Sequence, residues 1–181
     1  NLTREKIIQY FSENYVTNNM VVSIVGDIPS WKKKVEKYFN FKKGETKNKK
    51  NVVEGLDSKD TSKKIKRHSS NTYLVLGFKT VERSHPDSYV LDVINGILGR
   101  GQSGRIFIEL RSKLGLAYDT GTQHVSDLSY GFFATYATIG KKNIKKITKV
   151  ILNEISKIKD IDEECLQESK DYIEGSYLLD L

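Results

Sequence analysis

Apolar positions along this chain fall into blocks of helical and strand-like spacing. Ile7, Ile8, Phe11 and Tyr15 follow Thr3 at helical intervals, which predicts an amphipathic helix over residues 4–15 with Thr3 as its N-cap. Met20 to Val25, closed by Gly26-Asp27, predicts a short buried strand. Ser30 then introduces a second helix, whose Trp31, Val35, Tyr38 and Phe39 share one face. From Asn71 to Val81 the period changes to two, with Tyr73, Val75 and Gly77 alternating against Leu74, Leu76 and Phe78. Pro86 suits the first position of a helix that Val90, Leu91, Ile94 and Ile97 carry to Leu98. A glycine-rich turn, Gly99 to Gly104, leads into a short helix over residues 105–113 that Gly115 stops. Two strands, Leu116 to Gln123 and Tyr130 to Thr138, are joined by a polar turn through Asp127. Ile144, Ile147, Ile151, Ile155 and Ile158 form a helix stripe, and a last helix runs from Asp162 to the end.

Helices and strands are mixed without a regular βαβ alternation. The expected fold class is therefore α+β: a mixed, largely antiparallel sheet with helices packed on one face. The length of 181 residues suits a single domain. Both ends fall within helical patterns, so residues 1–181 are expected to be one domain of a longer protein, cut at each side. Leu, Ile, Val and Phe make up 52 residues, a fraction above the ~20% below which charged chains stay disordered. No apolar run approaches the ~20 residues of a membrane span. The single cysteine, Cys165, excludes a disulfide framework and a multi-cysteine zinc site. These features make no membrane and the cytoplasm the expectation.

The net charge of +7 is unevenly distributed. Between Lys42 and Arg67 stand ten basic residues and four acidic ones, a local balance of +6. A solvated loop accounts for this stretch better than a phosphate-binding patch, because no interleaved aromatics offer bases a stacking surface. Nucleic acid is accordingly not the expected partner.

Gly99-Arg100-Gly101-Gln102-Ser103-Gly104 matches the dinucleotide fingerprint G-x-G-x-x-G. That motif works when a strand delivers the chain to the turn, whereas here a helix does. Gly99, Gly101 and Gly104 are better read as a tight turn between helices. Ser129 to Tyr136 resembles an RNA-recognition signature, but Phe133 stands where a small residue is needed and Ala134 where an aromatic should stack. His68, His85 and His124 have no second ligand at metal spacing, and neither H-E-x-x-H nor H-x-x-E-H occurs. Within this chain no catalytic constellation is complete and no metal site is expected.

The order of elements nevertheless resembles a known family. Leu2-Thr3-Arg4-Glu5, Tyr15 through Asn19-Met20, and Ile24-Val25-Gly26-Asp27 resemble the opening of the C-terminal domain of the pitrilysin/insulinase zinc peptidases, which include mitochondrial processing peptidase. Gly77-Phe78, Asp87 to Gly99, and Ser103 to Phe107 are similar to that family's helix and glycine turn. Glu109 to Tyr118 is similar to its E-[LI]-R-x-K-x-G-L-A-Y block, and Gly175-Ser176-Tyr177 to its late helix. Arg100 departs from a turn that is usually nearly all glycine, and Gly104 replaces a common serine.

The resemblance implies a processing-peptidase-like fold and a chain that lacks the family's zinc-ligating N-terminal domain. It implies zinc in the full-length protein, a peptide or small-protein substrate, and two partners: the N-terminal catalytic domain and a second half of the chamber. It also implies an Arg/Tyr pair, mapped onto Arg111 and Tyr118, that holds the substrate. Guanidinium and phenol both donate hydrogen bonds suited to a peptide carbonyl and to negative charge developing on it. Spacing alone favours a plainer role, an arginine at a helix C-terminus and a half-buried strand tyrosine, and it is the resemblance that turns the reading toward the substrate. A period of two would put Leu116, Tyr118 and Thr120 on one face and Ala117, Asp119 and Gly121 on the other. The expected function is thus a substrate-holding, chamber-forming domain of a zinc metalloendopeptidase. The alternatives are a non-catalytic scaffold subunit of the same family and a basic nucleic-acid-binding domain.

Overall fold

A computed structural model describes residues 2–44, 59–66, 68–140 and 143–180. Most of the basic stretch between Lys42 and Arg67 lies outside the described residues. The chain forms two compact units, residues 1–51 and 52–181.

In the first unit, α1 (Arg4–Asn14) starts where the Thr3 side chain accepts the Lys6 N–H at 3.4 Å. That helix end also holds the Glu5 carboxyl below its ordinary range, through the backbone N–H of Glu5 and then the Thr3 side chain. Phe11 and Tyr15, one turn apart, stack with centroids 4.5 Å apart. Val16 is buried, and the Thr17 N–H donates to the Lys42 carbonyl at 3.3 Å. The second helix, α2 (Trp31–Tyr38), forms as its face pattern predicts, although Ser30 makes no side-chain cap. The expected buried strand over Met20 to Val25 is not formed. Val21 and Val25 are 97% and 93% exposed. A strand is stabilised by ladder bonds to a neighbour, and no strand forms among the described residues of this unit.

In the second unit, β1 (Thr72–Thr80), β2 (Ala117–Ser126) and β3 (Gly131–Ile139) form a sheet in the order β1-β3-β2. Both pairings are antiparallel, so this sheet is antiparallel throughout rather than mixed. The helices are α3 (Asp87–Gly99), α4 (Arg105–Phe107), which continues as a π-helical turn over Ile108–Lys113, α5 (Ile144–Ser156) and α6 (Glu163–Asp180). Local chemistry starts two of them. His85 Nδ1 accepts the Asp87 N–H at 3.1 Å ahead of α3, and Asp162 accepts the Cys165 N–H at 2.8 Å to cap α6.

Leu98, Ile106, Leu110, Phe133, Ala137, Ile147 and Ile151 form the core beneath the sheet. Leu74 and Leu76 of β1 pack against it, as do Ile144, Ile155 and Ile158 of the predicted stripe. On the opposite face of the sheet Tyr73, Val75 and Tyr136 are exposed. Helices therefore cover one face, as the α+β pattern requires. Among the described residues, no helix is long and apolar enough to cross a membrane.

Candidate functional site

Two backbone irregularities bring Arg111 and Tyr118 together. The first is the π-helical turn after α4, where the Leu114 N–H reaches the Glu109 carbonyl at 3.1 Å. Such turns are rare and recur at functional sites. Gly115 follows at φ +59°, and the Leu116 N–H closes the reversal on the Leu110 carbonyl at 2.8 Å. The second is a β-bulge at the start of β2. Ala117 pairs with Ile139 and Asp119 with Thr138, so Tyr118 is the extra residue.

This bulge overturns the expected period-two assignment. Ala117 and Thr120 both point into the core, whereas Tyr118 and Asp119 are both exposed. Tyr118 and Thr120 do not share a face. Tyr118 is 77% exposed, and the Arg111 guanidinium carbon lies over its ring at 5.6 Å from the centroid. The same carbon lies 5.1 Å from the Phe107 centroid. Among the described residues, Arg111 has no hydrogen bond and no ion pair. Glu109, two positions earlier, is paired with Lys113. The result is an exposed cation on aromatic faces with a phenol beside it, a set made of hydrogen-bond donors. Phe107 was not singled out from the sequence, although its place four residues before Arg111 on a helix was a usable signal.

The glycine turn has a packing explanation. A Cβ on Gly99 would collide with Thr122 Oγ1, and one on Gly104 would stand 2.7 Å from the Leu98 carbonyl oxygen. Gly101 has φ +55° with open space around it. Arg100 pairs with Glu168 of α6.

A polar ladder that no sequence motif marks joins α3 and β2. Ser88 bonds Ser126 at 2.9 Å, Asp92 meets His124 Nδ1 at 2.7 Å, and Thr122 donates to the Asn95 side chain at 2.7 Å. The helix spacing of four and three residues meets the strand spacing of two, which is legible once the two elements are known to face each other. His124 is thereby engaged in packing, with its side chain 1% exposed. Among the described residues, no three His, Cys, Asp or Glu side chains are close enough to hold a metal ion. An open groove of about 430 Å³ between α3 and α6 is lined by Tyr89, Val93, Ile173 and Tyr177, with Asp92 and Lys170, and holds neither Arg111 nor Tyr118.

Against this geometry stand the likenesses to known proteins. Residues 1–172 match the model of the family described as the peptidase M16 inactive domain. The uncharacterized zinc protease YmxG of Bacillus subtilis is 30% identical over 180 residues, covering 98% of this chain and 44% of the relative. An uncharacterized zinc protease of Rickettsia felis is 26% identical over 184 residues, with 98% and 43% covered. A solved protease from Helicobacter pylori superposes with a TM-score of 0.82 at 24% identity, covering 98% of this chain and 45% of the other. A solved peptidase M16 inactive domain from Pseudomonas fluorescens gives 0.71 at 22% identity, with 97% and 43% covered. The chain spans less than half the length of each of these four proteins.

Proposed function

The chain belongs to the peptidase M16 inactive-domain family, and from that premise we propose that it is a substrate-holding, chamber-forming domain of a zinc-dependent peptidase. In this reading the domain cleaves no bond itself. It forms one wall of a chamber in which a peptide is held, while cleavage belongs to a catalytic domain elsewhere in the parent protein. A second half, a like or unlike chain, completes the chamber.

The observation that carries the reading is the exposed pair of donors at Arg111 and Tyr118, with the guanidinium 5.6 Å from the ring centroid. Arg111 is free of any acid partner among the described residues. Its N–H groups can donate to a peptide carbonyl oxygen, and the Tyr118 hydroxyl can add a second donor. Donors placed ahead of time stabilise negative charge that develops on such an oxygen during hydrolysis.

Zinc enters through the names of the relatives. The described donors do not fit the ion: the described His, Cys, Asp and Glu residues form no group of three, and His124 is committed to Asp92. In this reading the zinc of the parent protein belongs to its catalytic domain, and no step here runs through it.

The test is kcat/KM for a fluorogenic peptide in the full-length parent protein, for the wild type, Arg111→Ala and Tyr118→Phe. Loss of activity in both with melting unchanged supports the reading. Near-wild-type activity in both returns the pair to a packing role. A parent protein that binds peptide yet cleaves none would favour the scaffold subunit.

A further inference from the structure

Arg111 is held by two rings, and only one of them belongs to the pair identified from the sequence. Phe107 is the last residue of α4, one turn before Arg111, and the arginine side chain lies back over it at 5.1 Å. A protein can fix a guanidinium in two ways. A carboxylate does so by taking its in-plane N–H groups, the same donors a peptide carbonyl needs. A ring face on which the guanidinium stacks takes none of them, because the attraction then runs through the π-cloud and the N–H groups stay in the guanidinium plane. The acid nearest in sequence on this turn, Glu109, is paired with Lys113.

We infer that Phe107 is a positioning residue for substrate binding: its ring, with that of Tyr118, fixes the Arg111 guanidinium while leaving its N–H donors for the substrate. This rests on the reading that Arg111 holds the peptide. Phe107 touches no substrate and acts through the arginine.

The experiment uses the full-length parent protein carrying ¹⁵N,¹³C-arginine, with the Arg111 signals assigned by their loss in Arg111→Lys. In the wild type the Arg111 side-chain protons are shifted upfield by the rings. Phe107→Leu moves those signals toward free-arginine positions, and Phe107→Tyr keeps them. With a fluorogenic peptide, Phe107→Leu lowers kcat/KM by about fivefold, the scale of an exposed cation–π contact, and Phe107→Tyr restores it. In an Arg111→Ala background Phe107→Leu costs nothing further, a coupling that a packing role would not produce. A cost that persists without Arg111, or Arg111 signals indifferent to Phe107, overturns the inference. If Phe107→Leu does not fold, Phe107→Met is measured in the same way. A silent Phe107→Leu beside a damaged Arg111→Ala removes the Phe107 role alone, whereas a silent Arg111→Ala removes the proposed function with it.

Discussion

Tyr118 reaches solvent because one extra residue is inserted in β2. Counted back from the buried Thr120, regular alternation without the bulge between Ala117 and Asp119 would turn Tyr118 inward. With it, Tyr118 and Asp119 both face out, and the phenol stands beside Arg111. In the proposed function each group offers a donor to the same substrate. We expect Arg111→Ala and Tyr118→Phe each to reduce kcat/KM of the parent protein by about 10²-fold, as for loss of one oxyanion-type donor. The two losses should combine to less than their product if both donors serve one substrate oxygen, which the double variant measures. Thermal melting should hold, because both side chains are exposed and Tyr118→Phe keeps the ring over which the guanidinium lies. The identities of these two residues were readable in the sequence through the family block. Their proximity was not, because it depends on a π-turn and a bulge that hydrophobic periodicity does not encode.

At the scale of elements, the turn between α3 and α4 depends on close approach. A methyl group on Gly99 would collide with Thr122 of β2, so Gly99→Ala should force α3 away from the strand and cost about 1–3 kcal/mol. Gly101 differs, having open space around it and φ +55°, so Gly101→Ala should cost about 1 kcal/mol from backbone strain alone. Urea unfolding of the two variants separates the cases. The ladder from α3 to β2 gives a third expectation. Asp92→Ala leaves the buried His124 ring without its one partner, since Nε2 is already unpaired among the described residues. The cost should be about 1–3 kcal/mol, whereas Leu152→Ala on the exposed side of α5 should cost far less. The helices themselves were legible, because Ile144, Ile147 and Ile151 repeat at the period that turns them inward. The strand expected at Met20 to Val25 was not formed, since apolar composition gives β-propensity while a strand also needs a neighbour to bond.

At the scale of the whole molecule, the proposed function divides catalysis and substrate support between segments of the parent protein. Because the described ligand-type side chains here form no group of three, replacing both His68 and His85 by Gln should leave the zinc content of the parent protein unchanged. Metal analysis after dialysis checks this, and a loss of one zinc per chain would relocate the metal to this domain. The α+β class, the three strands β1 to β3, the helix order and the family are all readable along the chain, since each rests on local periodicity or on a contiguous block of residues. Folding in three dimensions was needed to make the described sheet antiparallel throughout and to bring α3 onto β2 through a polar ladder. It alone decided that Arg111 rests on Phe107 and Tyr118. Those features arise where elements distant along the chain meet, and a one-dimensional pattern carries no term for the register or irregularity of that meeting.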